Sequence, residues 1–89
     1  AVLCALAVLL SRGDFHHGIT LAVMGGLDTD CNGATVGSIV GAIQGAQGIP
    51  PAWTAPLNDT LRSGIADYHP IGISTCAAQT MELVAQRLP

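Results

Sequence analysis

Between Gly33 and Gly45 a glycine recurs at every fourth position: Gly33, Gly37, Gly41 and Gly45. Residues four apart on an α-helix stand above one another, so these would line one bare stripe. At about 1 kcal/mol of helix propensity each, the stripe costs about 3–4 kcal/mol. A helix that carries it is expected to receive another backbone at very close range. Ala34, Ala42 and Ala46 lie beside the stripe. In membranes such spacing marks a dimer face. Here Asp28, Asp30, Asn32 and Gln44 share the segment, and polar groups of that kind are expensive in lipid. Tight packing inside a soluble helical core is the expectation.

The rest of the chain reads as helices and breaks. Apolar positions do not alternate over any long stretch, so strands are not expected. A first helix runs from the N-terminus to Leu10 or Ser11, and Gly13 can take the left-handed position past its end. Asp14 caps a second helix over residues 15–24, with Phe15, Ile19, Ala22 and Val23 inward. Gly25-Gly26 stops it. The third helix starts near residues 28–30 and continues to about Gln47, before Gly48 and Ile49-Pro50-Pro51. Pro51 suits the first position of a short helix that contains Trp53, expected as a core anchor. Residues 58–73 read as an irregular connection. Ser74 is expected to cap a last helix over residues 75–88, whose apolar face is Ala77, Ala78, Met81, Val84, Ala85 and Leu88.

Composition limits what this chain can do alone. It has 89 residues, 49% hydrophobic and 10% charged, where an ordinary soluble domain carries about 25% charged residues. Small domains have the most surface to cover. The chain is therefore expected to be the interior or C-terminal part of a larger protein; Ala1 already lies inside an apolar run, residues 1–10. That run is too short to span a bilayer, which takes about 20 apolar residues. It also lacks the basic region and cleavage site of a signal peptide, so a buried helix is the better reading. The net charge is −3, there is no lysine, and Arg12, Arg62 and Arg87 are scattered. No nucleic acid and no anionic membrane surface is expected as a partner, since both need a basic face. Cys4, Cys31 and Cys76 form no CxxC pair and are odd in number, so neither a disulfide framework nor a cysteine zinc site is indicated. Free thiols suit a reducing, cytoplasmic setting.

One stretch carries chemistry. Asp28-Thr29-Asp30-Cys31-Asn32-Gly33 follows a double glycine and opens the third helix. Two carboxylates one residue apart, on a turn before a helix, can converge on one hard cation such as Mg²⁺, Ca²⁺ or Mn²⁺. Gly25 and Gly26 remove side chains where a ligand or a backbone would approach. The bland alternative makes Asp28 an N-cap and Asp30 a partner of the helix dipole. An EF-hand fits Asp28, Asp30, Asn32 and Gly33 but fails at Ile39, where a bidentate Glu is needed. His16, His17 and Glu82 are expected at the surface and His69 in a loop. Asp59 and Asp67 have no partner at ligand spacing.

The run from Gly25 to Ala34, with Gly37, Gly41, Gly45-Ala46 and Gly48-Ile49-Pro50 after it, resembles the second metal motif of the ADP-ribosylglycohydrolases, the dinitrogenase-reductase-activating glycohydrolase superfamily. Gly13-Asp14-Phe15 upstream and Pro51-Ala52-Trp53 downstream resemble it too. The resemblance implies an all-α fold, with residues 1–89 as the C-terminal helices of a single, orthogonally packed multi-helix domain. It implies two Mg²⁺ ions, sometimes Mn²⁺, at the bottom of an ADP-ribose cleft. The partner would be an ADP-ribosylated protein or a related ADP-ribose conjugate, cut at the ribose anomeric carbon. Asp28 and Asp30 would map onto metal-binding aspartates. Cys31 stands where the family has Thr or Ser, whose hydroxyl also touches metal. A thiol suits Mg²⁺ poorly, so Cys31 either turns away or shifts the metal preference. The other metal ligands of the family come from a Thr-Asp-Asp-type segment, and nothing in this chain matches it. The chain is thus expected to hold half of the site and to be inactive alone, with no general base or substrate-binding residue assigned. The family resemblance also includes non-enzymatic binding or structural proteins of the same fold, lens crystallins among them, and Cys31 keeps that alternative open.

Overall fold

The computed structural model describes residues 1–88. Helices account for most of it: α1 Val2–Ser11, α2 Phe15–Met24, α3 Thr29–Gln44, α4 Pro51–Thr54 and α5 Ile73–Arg87. Short 3₁₀ turns lie at Ala46–Gly48 and Ala55–Leu57. The all-α class expected from the pattern is what the chain adopts. The chain divides into two compact units, Ala1–Pro51 and Ala52–Pro89.

In the first unit, α1 ends at Ser11, whose hydroxyl donates to the Val8 carbonyl at 2.7 Å. The left-handed exit begins one residue earlier than expected: Arg12 (φ 53°) and Gly13 (φ 81°) both have positive φ. Asp14 then caps α2, its Oδ1 accepting from the His17 N–H at 2.7 Å. The core is small: Cys4 and Ala7 from α1, Phe15 and Ala22 from α2, and Val36 and Val40 from α3. Val36 and Val40 have no exposed surface at all.

The glycine stripe packs differently from the expectation. Among the described residues, the nearest atoms to it are not backbone but side chains of α2 and of the segment after α3. A Cβ at Gly33 would meet Val23 Cγ2 at 3.4 Å, one at Gly37 would meet Ile19 Cδ1 at 3.4 Å, and one at Gly41 would meet Ile49 Cδ1 at 3.5 Å and Phe15 Cε2 at 3.6 Å. Phe15, Ile19 and Val23 are themselves four apart, so an α2 row lies antiparallel on the α3 row. Val23 still keeps 42% of its surface exposed, because the glycine beneath it covers only one side. The close helix approach is made by Gly18 of α2. A Cβ there would stand 3.2 Å from Ser11 Cβ and 3.3 Å from both Val36 Cγ1 and Val40 Cγ2. The fourth glycine, Gly45 (φ 77°), leaves the helix. It ends α3 three residues before the expected Gln47 and starts the 3₁₀ turn.

In the second unit, the expected irregular connection contains one antiparallel pair, β1 Thr60–Leu61 with β2 Ile71–Gly72. Trp53, expected as a core anchor, is half-buried. Helix α5 begins two residues before the expected start, and Ser74 does not cap it. Asp59 does so from fifteen residues upstream: its Oδ1 accepts from the Ser74 N–H at 2.8 Å and its Oδ2 from the Ser74 hydroxyl. The Asp59 carbonyl accepts from the Ile73 N–H at 3.0 Å. The expected apolar face of α5 is not buried: Met81, Val84 and Leu88 are 63%, 37% and 64% exposed.

Candidate metal centre

The turn that builds the site joins α2 to α3 in four residues, 25–28. Gly26 (φ 73°) and Asp28 (φ 47°) both have positive φ, which reverses the chain in so short a span. Asp tolerates this region better than most residues. A Cβ at Gly25 would sit 2.6 Å from Leu3 Cδ2 of α1, whose side chain fills that space. Asp28 occupies the N-cap position of α3, yet its carboxylate makes no capping hydrogen bond. The cap reading therefore does not account for that side chain.

One ligand atom each from Asp28, Asp30 and Cys31 lies within 4.8 Å of the others. All three residues are exposed. Helix α3 sets the spacing, because Asp30 and Cys31 fall in its first turn. The Asp30 carboxyl is held below the usual carboxylate range, chiefly by the Cys31 backbone N–H and also by its own N–H. These are the unpaired donors of a helix N-terminus. The Cys31 thiol is pushed up, first by its hydrogen bond with Asp28 and then by the charge of that carboxylate. Its Sγ lies within 4.8 Å of the carboxylate oxygens. The EF-hand reading fails on the backbone as well, since residues 29–39 of its loop lie inside α3.

Asn32, weighed in the sequence as an EF-hand position, makes two side-chain hydrogen bonds beside the cluster. Its Nδ2 donates to the Leu27 carbonyl, and its Oδ1 accepts from Cys4 Sγ at 3.3 Å. The only advance signal was an Asn one helical turn after an Asp, a local hydrogen-bonding type near a helix start. His16, His17, His69 and Glu82 are exposed, and none joins the cluster. A shallow hollow of about 420 Å³ lies on α5, lined by Thr80, Leu83, Val84, Arg87 and Leu88. It carries no carboxylate or thiol.

Among known families, the ADP-ribosylglycohydrolase model matches residues 1–86. The chain belongs to the ADP-ribosylglycohydrolase family. Neither the curated proteins nor the solved structures give a match. For a chain of this family, the donor set of Asp28 and Asp30 is chemically apt: both offer hard carboxylate oxygens, and that of Asp28 is not spent on a cap. Donors on one Mg²⁺ lie at most about 4.2 Å apart, twice the Mg–O distance of about 2.1 Å. Exposed carboxylates within 4.8 Å reach that by a small rotation. The thiol is the one member that fits a hard cation badly. No described helix of the chain is long and apolar enough to cross a membrane.

Proposed function

We propose that this chain carries half of the divalent-metal site of an enzyme that hydrolyses the bond between ADP-ribose and a modified protein or a related conjugate. The observation that carries the proposal is the convergence of Asp28 and Asp30 within 4.8 Å, in a chain of this family, with the Asp28 carboxylate not used as a cap. Asp28 and Asp30 would hold Mg²⁺, or Mn²⁺, with the remaining ligands supplied by other segments of the same domain. When bound, such ions polarise oxygens and lower the pKa of bound water.

The chain's own residues supply three things. The helix N–H groups favour the ionised, donor form of Asp30. The negative charge of the pair favours a positively charged sugar, and glycosidic cleavage passes through oxocarbenium character. Loop 25–28 fixes where that charge points. Cys4, Cys31 and Cys76 are free thiols, which suits a cytoplasmic protein.

The test is turnover of an ADP-ribosylated protein by the full-length enzyme, with Mg²⁺ and with EDTA. Asp28→Asn and Asp30→Asn should each cut turnover by more than about 100-fold, since even residues that only support ligands cost 10–100-fold. If both variants keep full activity and full metal binding, the assignment is wrong. The 89-residue chain alone should hydrolyse nothing. Cys31 among the donors favours one second reading, a non-enzymatic relative that binds ADP-ribose conjugates. ADP-ribose binding without hydrolysis by the full-length protein would select it.

A further inference from the structure

We propose that Asn32 is a positioning residue for the metal pair, acting by locking the backbone on both sides of Asp28. The inference rests on the metal reading above. Asp28 has φ 47° and ψ 59°, a region that side-chain-bearing residues rarely occupy, so something must hold it there. Leu27 cannot do so by packing, because its side chain is 67% exposed. Asn32 holds the turn with two donors. Its side-chain Nδ2 donates to the Leu27 carbonyl, which belongs to the peptide plane before Asp28. Its backbone N–H donates to the Asp28 carbonyl at 3.0 Å, which belongs to the plane after it. With both planes fixed, φ and ψ of Asp28 are fixed, and so is the direction of its Cα–Cβ bond.

The amide cannot be turned the other way, since the Leu27 carbonyl needs a donor. The Oδ1 left over accepts from Cys4 Sγ at 3.3 Å. Cys4 is 9% exposed on α1. The aim of one exposed carboxylate is thus referred, through a single side chain, to a buried position in the core. Asn32 supports a ligand here without being one, a role whose loss weakens metal binding typically 10–100-fold.

Two variants of the full-length protein test this, with Mn²⁺ titrated calorimetrically and melting followed in EDTA. Asn32→Ala removes both side-chain bonds. Asn32→Asp keeps the shape but cannot donate to Leu27 at neutral pH. Electrostatics alone would make Asn32→Asp bind Mn²⁺ more tightly, because it adds a negative charge beside the ion. Positioning makes both variants bind 10–100-fold more weakly, while melting in EDTA falls by no more than about 8 °C, the cost of two neutral hydrogen bonds. Wild-type or tighter Mn²⁺ binding by either variant overturns the inference. So does a larger fall in apo melting with the affinity of the folded protein unchanged, which assigns Asn32 to the fold alone. A wild-type protein that binds no Mn²⁺ overturns the metal reading and this inference with it. Wild-type binding that Asp28→Asn abolishes and Asn32→Ala leaves intact overturns this inference only.

Discussion

Replacing glycine by alanine at two places in the α2–α3 pair should change stability in opposite directions. Gly37 sits in the middle of α3. A Cβ there would lie 3.4 and 3.7 Å from Ile19 Cδ1 and Cγ1 and 3.9 Å from Phe15 Cε2, ordinary contact distances. Nothing has to move. Gly37→Ala then gains about 1 kcal/mol of helix propensity, with a partly buried methyl adding a fraction of the ~0.8 kcal/mol for a buried carbon. Gly18 sits in the middle of α2 and gains the same propensity. Its Cβ, however, would wedge between Ser11 Cβ at 3.2 Å and Val36 Cγ1 and Val40 Cγ2 at 3.3 Å. Both valines are fully buried and stiff at χ1 in a helix, so neither yields freely. Overpacking of this kind costs about 1–3 kcal/mol, which leaves Gly18→Ala destabilising by about 0–2 kcal/mol. Urea unfolding of the full-length protein reads the two values against wild type. Because the chemical change is the same, the difference of about 1–3 kcal/mol isolates packing. If Gly37→Ala destabilises by as much as Gly18→Ala, the stripe does receive a backbone and the packing argued above is wrong.

Other outcomes follow from the same geometry. Cys31→Thr should bind Mg²⁺ more tightly than wild type in calorimetry of the full-length protein, because a hard hydroxyl replaces a thiol; unchanged affinity would count against any ligand role at this position. Asp14→Ala should cost about 1 kcal/mol, the usual worth of an N-cap, read as a lowered midpoint in the same urea experiment. Asp59 gives a pH dependence. The Ser74 hydroxyl and then the Ser74 N–H hold its carboxyl below the usual range, so folding is favoured by its ionised form. That contribution is complete above the ordinary aspartate pKa of about 3.9 and is lost as pH falls through the lower, folded value. Protection of the Ser74 amide, taken relative to its intrinsic exchange rate at each pH, should therefore fall below about pH 4, while in Asp59→Asn it should already be low at neutral pH and constant across that window.

What the sequence disclosed was local, and what it hid was relational. The Asp14 cap, the Gly25-Gly26 stop and the helix after Asp28 were legible because each depends on a few adjacent residues. The stripe of Gly33, Gly37 and Gly41 was legible as a stripe, but not as to what lies on it. Spacing within α3 cannot say whether a backbone or the side chains of Phe15, Ile19 and Val23 fill the groove. Gly18 gave no signal, since a lone glycine in a helix has many explanations. Asp59 escaped for the same reason. A cap normally lies at the residue before the helix, and the β1–β2 pair brings this one in from far upstream.

The candidate site divides along the same line. Two acids one residue apart at a helix start announce themselves, and the family glycines after them narrow the chemistry. The sequence could not say whether Asp28 spends its carboxylate on a cap, because N-cap and ligand share one residue type and one position. Backbone conformation decides it. An N-cap ordinarily has extended φ and ψ, as Asp14 does at −83° and 116°, and that geometry aims its oxygen at the second or third N–H of the helix. Asp28 is left-handed at 47° and 59°, so its side chain leaves the helix start on a different course and the N–H of Cys31 falls to Asp30. The two aspartates that cap or open helices in this half of the chain thus do different work, and the bonds from Asn32 to the carbonyls of Leu27 and Asp28 make the second geometry a fixed one.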